Sequence, residues 1–354
     1  MAIQATETQR EGLATYISAI TDKIDSFLDA EIKYWSAIDS SISAPLTALE
    51  DFFHGGGKRL RPAFCYLGFR TQSKEELNKE IINAGCALEL LHNFALVHDD
   101  FMDRADMRRG IPTVHKYLQT HYSQQDYEGD IAHFANSVAI LAGDFAFTYA
   151  DRFARDLPVR CLDVYDVLKV ELFAGQQMDL DAVYRKSITK ENISLIAQYK
   201  SGKYTIERPL QLGALLGNEN ASSELWEKFG SPLGEAFQLR DDVLGIFGDS
   251  NSTGKPVGDD IREGKFTLLI AEALDRASAE QNLILNRRGS LDIQDSEVND
   301  IVSIVENTGA REAVEQRIEF LYKEAIDALE KMNLETDVYD FANYLARYVC
   351  WRES

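Results

Sequence analysis

Residues 84–110 read AGCALELLHNFALVHDDFMDRADMRRG, an apolar stretch (84–98) running straight into a cluster of aspartates and arginines (99–110). Within it Leu88, Leu91, Ala95 and Val97–His98 recur at steps of three and four, the spacing of one helical face. Working outward, 132–155 (AHFANSVAILAGDFAFTYADRFAR) is long and mostly apolar, as suits a helix buried on several sides. The stretch from Val298 to Tyr348 is again helical in pattern, with Gly309 as a break. Only 7 prolines occur and none follows Pro256, which favours long helices, since each internal proline removes a backbone donor and clashes with the preceding turn. Neither alternation of period two nor a strand, glycine loop and helix in series is present. The expectation is an all-α chain. Loops fall at 54–57 (HGGG), 110–112 (GIP), 217–223 (GNENASS) and 248–260 (GDSNSTGKPVGDD), none long or biased enough for an interdomain linker. Residues 1–354 are expected to form a single domain.

The 354 residues are 45% hydrophobic and 27% charged, a globular composition with enough length for a large helical core. Lys and Arg total 37 against 58 Asp and Glu, a net charge of −21 that repels nucleic-acid backbones and anionic lipid. Any phosphate chemistry must therefore use local basic clusters or bridging metal ions. Cys65, Cys86, Cys161 and Cys350 are scattered with no C-x-x-C pair, so neither a disulfide framework nor a thiolate zinc site is expected. The first residues, MAIQATETQREG, lack a basic start and apolar core, and no run of eighteen apolar residues occurs. A cytoplasmic protein without a membrane span is expected.

On a helix, Asp99 and Asp103 point from one face with Asp100 beside them. Two carboxylates about 4 Å apart repel by roughly 4 kcal/mol at an effective dielectric near 20, so a cation must sit among them. Mg²⁺ suits such a place, because it binds one or two carboxylates together with substrate phosphates and water. Arg104, Arg108 and Arg109 follow at once and supply guanidiniums for phosphate. A solvated acidic face is the simpler meaning of a lone D-x-x-D, but this one directly continues a buried-type apolar helix. A second pair, Asp241–Asp242, ends another apolar stretch, FQLRDDVLGIFGD (237–249). The basic counterpart is HGGGKRLRP (54–62), where glycines admit an anion and Lys58, Arg59 and Arg61 can bind it. Walker spacing is absent, which removes the main support for nucleotide hydrolysis. His54, His98, His115, His121 and His133 show no metal-ligand spacing.

DDFMDRADMRRG resembles the first aspartate-rich motif of the trans-isoprenyl diphosphate synthases (polyprenyl synthetases), D-D-x-x-D-x-x-x-x-R-R-G. GGGKRLRP resembles their G-G-K-x-x-R-P element, FQLRDD their second aspartate-rich motif and GQQMDL (175–180) their G-Q-x-x-D-L. YKSGKY (199–204) is similar to the family's Lys-Thr element, and TGKPVGDDIREGK (253–265) to its closing lysine-rich segment. Six matches in family order, from about residue 54 to 268, make the resemblance specific.

The resemblance implies a helical isoprenoid synthase bundle around a central cavity, in a homodimer. The reaction it implies joins isopentenyl diphosphate to an allylic diphosphate (dimethylallyl, geranyl or farnesyl) by ionisation, condensation and proton loss. Asp99 and Asp103 would then hold two Mg²⁺ and Asp241 a third, with Asp100, Asp242, Gln176 and Asp179 orienting them. Arg108, Lys200, Lys255 and the closing Lys265 would grip the allylic diphosphate, while Lys58, Arg61, His92 and Arg109 would bind isopentenyl diphosphate. The Lys200 carbonyl, the Ser201 hydroxyl and the Gln238 amide would face the allyl cation, and the departing diphosphate would take the proton. Two departures stand out: Ser201 replaces the commoner Thr, and Gly245 replaces an Asp at the fifth position of the second motif, where Asp249 could partly substitute. Product length in the family depends on side chains below the first motif, here Leu91, Phe94 and Ala95. Phe94 beside a small Ala95 resembles synthases of twenty-carbon geranylgeranyl diphosphate. Farnesyl and longer-chain products, a weakly active subunit of a heteromer and a terpene cyclase are the alternatives. The last lacks support, because 241–249 does not match the N-D-x-x-S-x-x-x-E site of cyclases.

Overall fold

The computed structural model describes residues 7–75, 77–185, 187–248 and 258–352. It is 80% helical with 1% strand, which bears out the all-α expectation. In chain order the helices are α1 (Glu7–Ile38), α2 (Ser43–His54), α3 (Leu60–Gln72), α4 (Lys79–Met102), α5 (Val114–Ser123), α6 (Ile131–Ala154) and α7 (Val159–Tyr184). There follow α8 (Lys190–Ile196), a π-helical segment (Ala197–Glu207), α9 (Arg208–Gly217), α10 (Ser223–Phe247) and α11 (Asp259–Glu263). The last five are α12 (Leu268–Arg276), α13 (Ala279–Leu285), α14 (Asp295–Asn307), α15 (Ala310–Glu330) and α16 (Thr336–Trp351).

Local chemistry explains several boundaries. The Asn78 side chain accepts from the Ile81 amide to start α4, and Asp130 accepts from the His133 amide to start α6. Gly309 does break the C-terminal helical stretch, at a left-handed φ of 73°. A second break at 331–335, which the sequence pattern does not signal, carries Asn333 in the left-handed region. The region 107–112 also differs from expectation, because Met107–Arg108 (β1) pairs antiparallel with Ile111–Pro112 (β2). Arg109 and Gly110 between them both have positive φ, as a tight two-residue hairpin turn requires.

The apolar stretch at 84–98 lies inside α4, which packs against α1, α3, α6 and α9. Leu88, Leu90 and Leu91 are fully buried in a core that extends from Tyr16 on α1 to Cys350 on α16. By length and composition alone α4 and α6 could each cross a membrane, although neither has an unbroken apolar run. Average hydropathy passes them because Ala, Leu and Phe dilute the polar positions, and 67% of the most apolar window of α4 is buried within the bundle.

Two close approaches position the functional end. A Cβ on Gly175 of α7 would lie 2.2 Å from the Lys200 amide nitrogen, and one on Gly202 would meet the Gly234 backbone at 2.8 Å. Glycine at these places lets α7 and α10 press against the π-helical segment from two sides.

Candidate active site

The C-terminal end of α4 carries Asp99, Asp100 and Asp103, and the hairpin that follows folds back over them. Arg108 leaves β1 to donate from Nε to Asp100 Oδ1 at 2.6 Å and from Nη2 to Asp99 Oδ2 at 3.3 Å. Arg104 instead is exposed in the left-handed turn that ends α4 and joins neither ion pair. Asp99 Oδ1 also accepts from Lys200 Nζ at 3.2 Å and from Gln176 Nε2 at 3.0 Å. Burial works against its charge, yet Lys200, Lys265 and Arg108 outweigh burial and hold the carboxyl well below the usual range. Asp103 shifts the other way, raised by burial and by Asp99, with Lys265 opposing.

Lys200 and Ser201 sit on the π-helical segment, a wide turn that occurs mostly at functional sites. Lys200 bridges Asp99 to Asp179, 2.5 Å away on α7. Ser201 Oγ donates to Gln238 Oε1, and Gln238 Nε2 donates to Asp242 Oδ1 at 2.7 Å. A polar chain thus joins the π segment to the second aspartate pair. Asp242 is raised well above the carboxylate range, first by burial and then by the neighbouring Asp260. Lys265 spans the two acidic walls, 3.2 Å from Asp103, 3.6 Å from Asp260 and in contact with Glu263.

The basic wall lies beside them. Arg61 donates to Thr205 Oγ1 at 2.8 Å and lies over the Tyr204 ring at 4.0 Å, while His92 Nδ1 meets the Tyr204 hydroxyl at 2.7 Å. Arg109 reaches back to the Gly56 carbonyl, and a Cβ on Gly57 would meet its guanidinium at 2.9 Å. Lys58 is pushed down to about 8 by burial and by the neighbouring Arg352, with Asp241 pulling upward. One basic residue is corrected here: Arg59 is not available to an anion, because it pairs with buried Glu89, donates to the Phe53 carbonyl and stacks on the Phe53 ring.

Asp241 makes an ion pair with Arg352, which is itself buried against the Phe237 ring. Sequence reasoning missed Arg352, Tyr204 and Asp260; an isolated arginine at the end of the chain has no spacing to flag it. Lys255 and Asp249 lie outside the described residues. Below the first motif, the Phe94 ring packs on His98 at 4.7 Å, Phe147 at 5.0 Å and Phe173 at 5.8 Å. Ala95 is half-buried beside it, and Leu91 is fully buried.

His92 is held neutral, lowered first by burial and then by Arg61 and Arg109. An unfolded histidine binds a proton below about pH 6.5, and the folded one refuses it until lower pH. Stability present above about 6.5 is therefore lost as the pH falls below it. The melting temperature is expected to fall between about pH 7 and about pH 5, and His92→Gln to flatten that part of the curve. Identical slopes in the two proteins would assign the loss to other groups.

A family model described as polyprenyl synthetase matches residues 44–306 of this chain. The chain belongs to the polyprenyl synthetase family. It is 30% identical over 329 residues to a geranylgeranyl diphosphate synthase of Sulfolobus acidocaldarius, covering 90% of this chain and 93% of that protein. To a short chain isoprenyl diphosphate synthase of Methanocaldococcus jannaschii it is 31% identical, covering 84% and 85%. It is similar in structure, with a TM-score of 0.90 and 34% identity, to a geranylgeranyl pyrophosphate synthase from Corynebacterium glutamicum complexed with isoprenyl diphosphate and magnesium. That match covers 96% of this chain and 99% of the other. As a polyprenyl synthetase this chain is a prenyltransferase, a short-chain trans-prenyl diphosphate synthase that transfers alkyl groups other than methyl. Polyprenyl synthetases use isopentenyl and allylic diphosphates and a divalent metal.

The donor set of this polyprenyl synthetase fits such a metal. Its acidic residues offer hard oxygen ligands, which suit Mg²⁺ and not a soft metal. Among the described residues no three carboxylate or imidazole groups converge as a ready-made cage. Lys200, Lys265 and Arg108 each bridge two aspartates instead and Arg352 pairs with Asp241, and Mg²⁺ held by few carboxylates plus substrate phosphate needs no cage.

Proposed function

We propose that this chain condenses isopentenyl diphosphate with an allylic diphosphate, in the presence of Mg²⁺, to give geranylgeranyl diphosphate. The observation that carries this reading is the Lys265 bridge between Asp103 on one acidic wall and Asp260, beside Asp242, on the other. A diphosphate with its counter-ions suits that meeting point of opposite charges.

In this reading Asp99, Asp103 and Asp241 would hold three Mg²⁺ together with the allylic diphosphate, and Asp100, Asp242, Gln176 and Asp179 would orient them. Bound there, the metal neutralises charge on the leaving oxygens. Arg108, Lys200 and Lys265 add fixed positive charge at the same oxygens, favouring the state in which the carbon–oxygen bond has broken. Lys58, Arg61, His92 and Arg109 hold isopentenyl diphosphate without metal. Burial and Arg61 disfavour the charged form of His92, which when neutral still has one ring N–H to offer that diphosphate. The Ser201 proton is committed to Gln238. Its remaining lone pairs, with the Lys200 carbonyl, face the allyl cation as dipoles that carry no base. The proton lost in the last step goes to the diphosphate, so no side-chain base is needed.

Phe94 with a small Ala95 supports a twenty-carbon limit. Residues 1–354 act as one cytoplasmic domain, and two copies pair through α6 and α7. Leu141 on α6 and Val167 and Val170 on α7 are 54%, 46% and 66% exposed, apolar side chains that such a pairing would cover. Light scattering should give twice the 39.9 kDa of one chain, and a monomer would end the dimer reading.

The purified chain, given Mg²⁺, farnesyl diphosphate and labelled isopentenyl diphosphate, should release a linear all-trans twenty-carbon diphosphate. Chelation should stop the reaction and added Mg²⁺ restore it. A cyclic hydrocarbon, or no turnover by the chain alone, would refute the assignment. The second outcome would favour the subunit reading that Gly245 raises.

A further inference from the structure

Beneath the first acidic motif α4, α6 and α7 run side by side, and their contacts mark successive layers. At the level of the aspartates, Gly143 of α6 abuts His98 of α4, where a Cβ would lie 2.3 Å from the imidazole, and Gln176 of α7 reaches Asp99 at 3.0 Å. One turn deeper Phe94, Phe147 and Phe173 meet, with ring centres 5.0–6.0 Å apart. One turn deeper again, on the same faces of α6 and α7, stand Asp151 and Lys169. An apolar path thus ends on charge.

Lys169 is held firmly in that place. Its Nζ lies 2.9 Å from Asp151 and 2.9 Å from Asp166. It also stands 5.5 Å from the centre of the Phe147 ring and 4.8 Å from that of Tyr165. The side chain is only 13% exposed, so carboxylates and ring faces replace most of its water. A hydrocarbon tail pressed against this ammonium would strip the remaining water and return no hydrogen bond for it.

We propose that Lys169, clamped by Asp151, is a second chain-length stop, a charged layer under the aromatic one that a growing hydrocarbon tail does not enter. Phe94 ends growth first, and Lys169 limits any tail that passes it. The two stops are one helical turn apart, about 5.4 Å, close to the reach of one isoprene unit with its four-carbon backbone. A tail that passes Phe94 therefore gains one unit and no more. The inference deepens the functional reading above and rests on it.

The test reads chain length by chromatography of the dephosphorylated lipids made from farnesyl diphosphate and labelled isopentenyl diphosphate with Mg²⁺. Lys169→Met keeps the stem on both rings and removes the charge, and it should leave the twenty-carbon product unchanged while Phe94 is present. Phe94→Ala should stop at twenty-five carbons. Phe94→Ala/Lys169→Met should carry most of its product to thirty carbons or beyond. Phe94→Ala/Lys169→Arg, which keeps the charge, should hold the twenty-five-carbon limit, an outcome that looser packing alone would not give. The Asp151 and Asp166 side chains are 44% and 71% exposed, so water solvates them when the ammonium is gone and the fold survives. If the methionine double variant matches Phe94→Ala, or the arginine double variant lengthens its product as the methionine one does, the charged layer sets no limit and the proposal is wrong. A parent that makes no linear prenyl diphosphate would instead sink the functional reading, and this inference with it.

Discussion

Asp99→Ala is expected to lower turnover by about three orders of magnitude, the scale of losing a group placed where charge develops in the transition state, while the protein keeps its helical content. Asp99 accepts from Arg108, Lys200 and Gln176 at 3.0–3.3 Å, so three elements converge on one carboxylate. Removing it takes away a metal ligand of the proposed site and also releases the cations that frame that site. The fold tolerates the change for a reason visible in the same contacts. Lys200 keeps Asp179 at 2.5 Å and Arg108 keeps Asp100 at 2.6 Å, so neither cation is left buried and alone. Asp103, raised by burial and by the Asp99 charge, loses a repulsive neighbour. Circular dichroism and single-turnover kinetics separate the two effects, and a near-normal rate would reject the metal role of Asp99.

The acidic wall on α4 was legible because its chemistry is local. Carboxylates four residues apart must share a helical face, and arginines five residues further on can fold back over them. The hairpin at 107–112 that turns Arg108 back was not legible, since a two-residue pairing leaves no alternation to read. The wide π turn was equally hidden, because its register depends on Gly175 and Gly234 pressing from other helices. Arg352 meets Asp241 across 111 residues, a distance at which one sequence gives no pairing signal. Arg59 illustrates the opposite error. Its neighbours made it look like an anion ligand, whereas its charge is spent on Glu89, buried thirty residues away. Gly245 shows the same limit: the group that fills its space, Asp260, belongs to another element.

Phe94→Ala is expected to shift the product from twenty carbons to longer chains, read by chromatography of the dephosphorylated lipids. Phe94 lies five residues before Asp99, about 7.5 Å along the helix axis and on the side away from the hairpin. In the proposed reading the diphosphate sits at Asp99 and the growing tail runs in that direction. The ring cannot simply swing aside, because His98, Phe147 and Phe173 stand within 6 Å of its centre. A Phe→Ala change inside a closed core removes about 3–5 kcal/mol of stability, but Phe94 is only half-buried and the loss here should be smaller. The reverse change gives the sharper contrast: Ala95→Phe places two aromatics side by side and should stop growth at fifteen carbons. If both variants still make the parent product, α4 does not form the floor, and Phe147 and Phe173 on the neighbouring helices become the side chains that end chain growth.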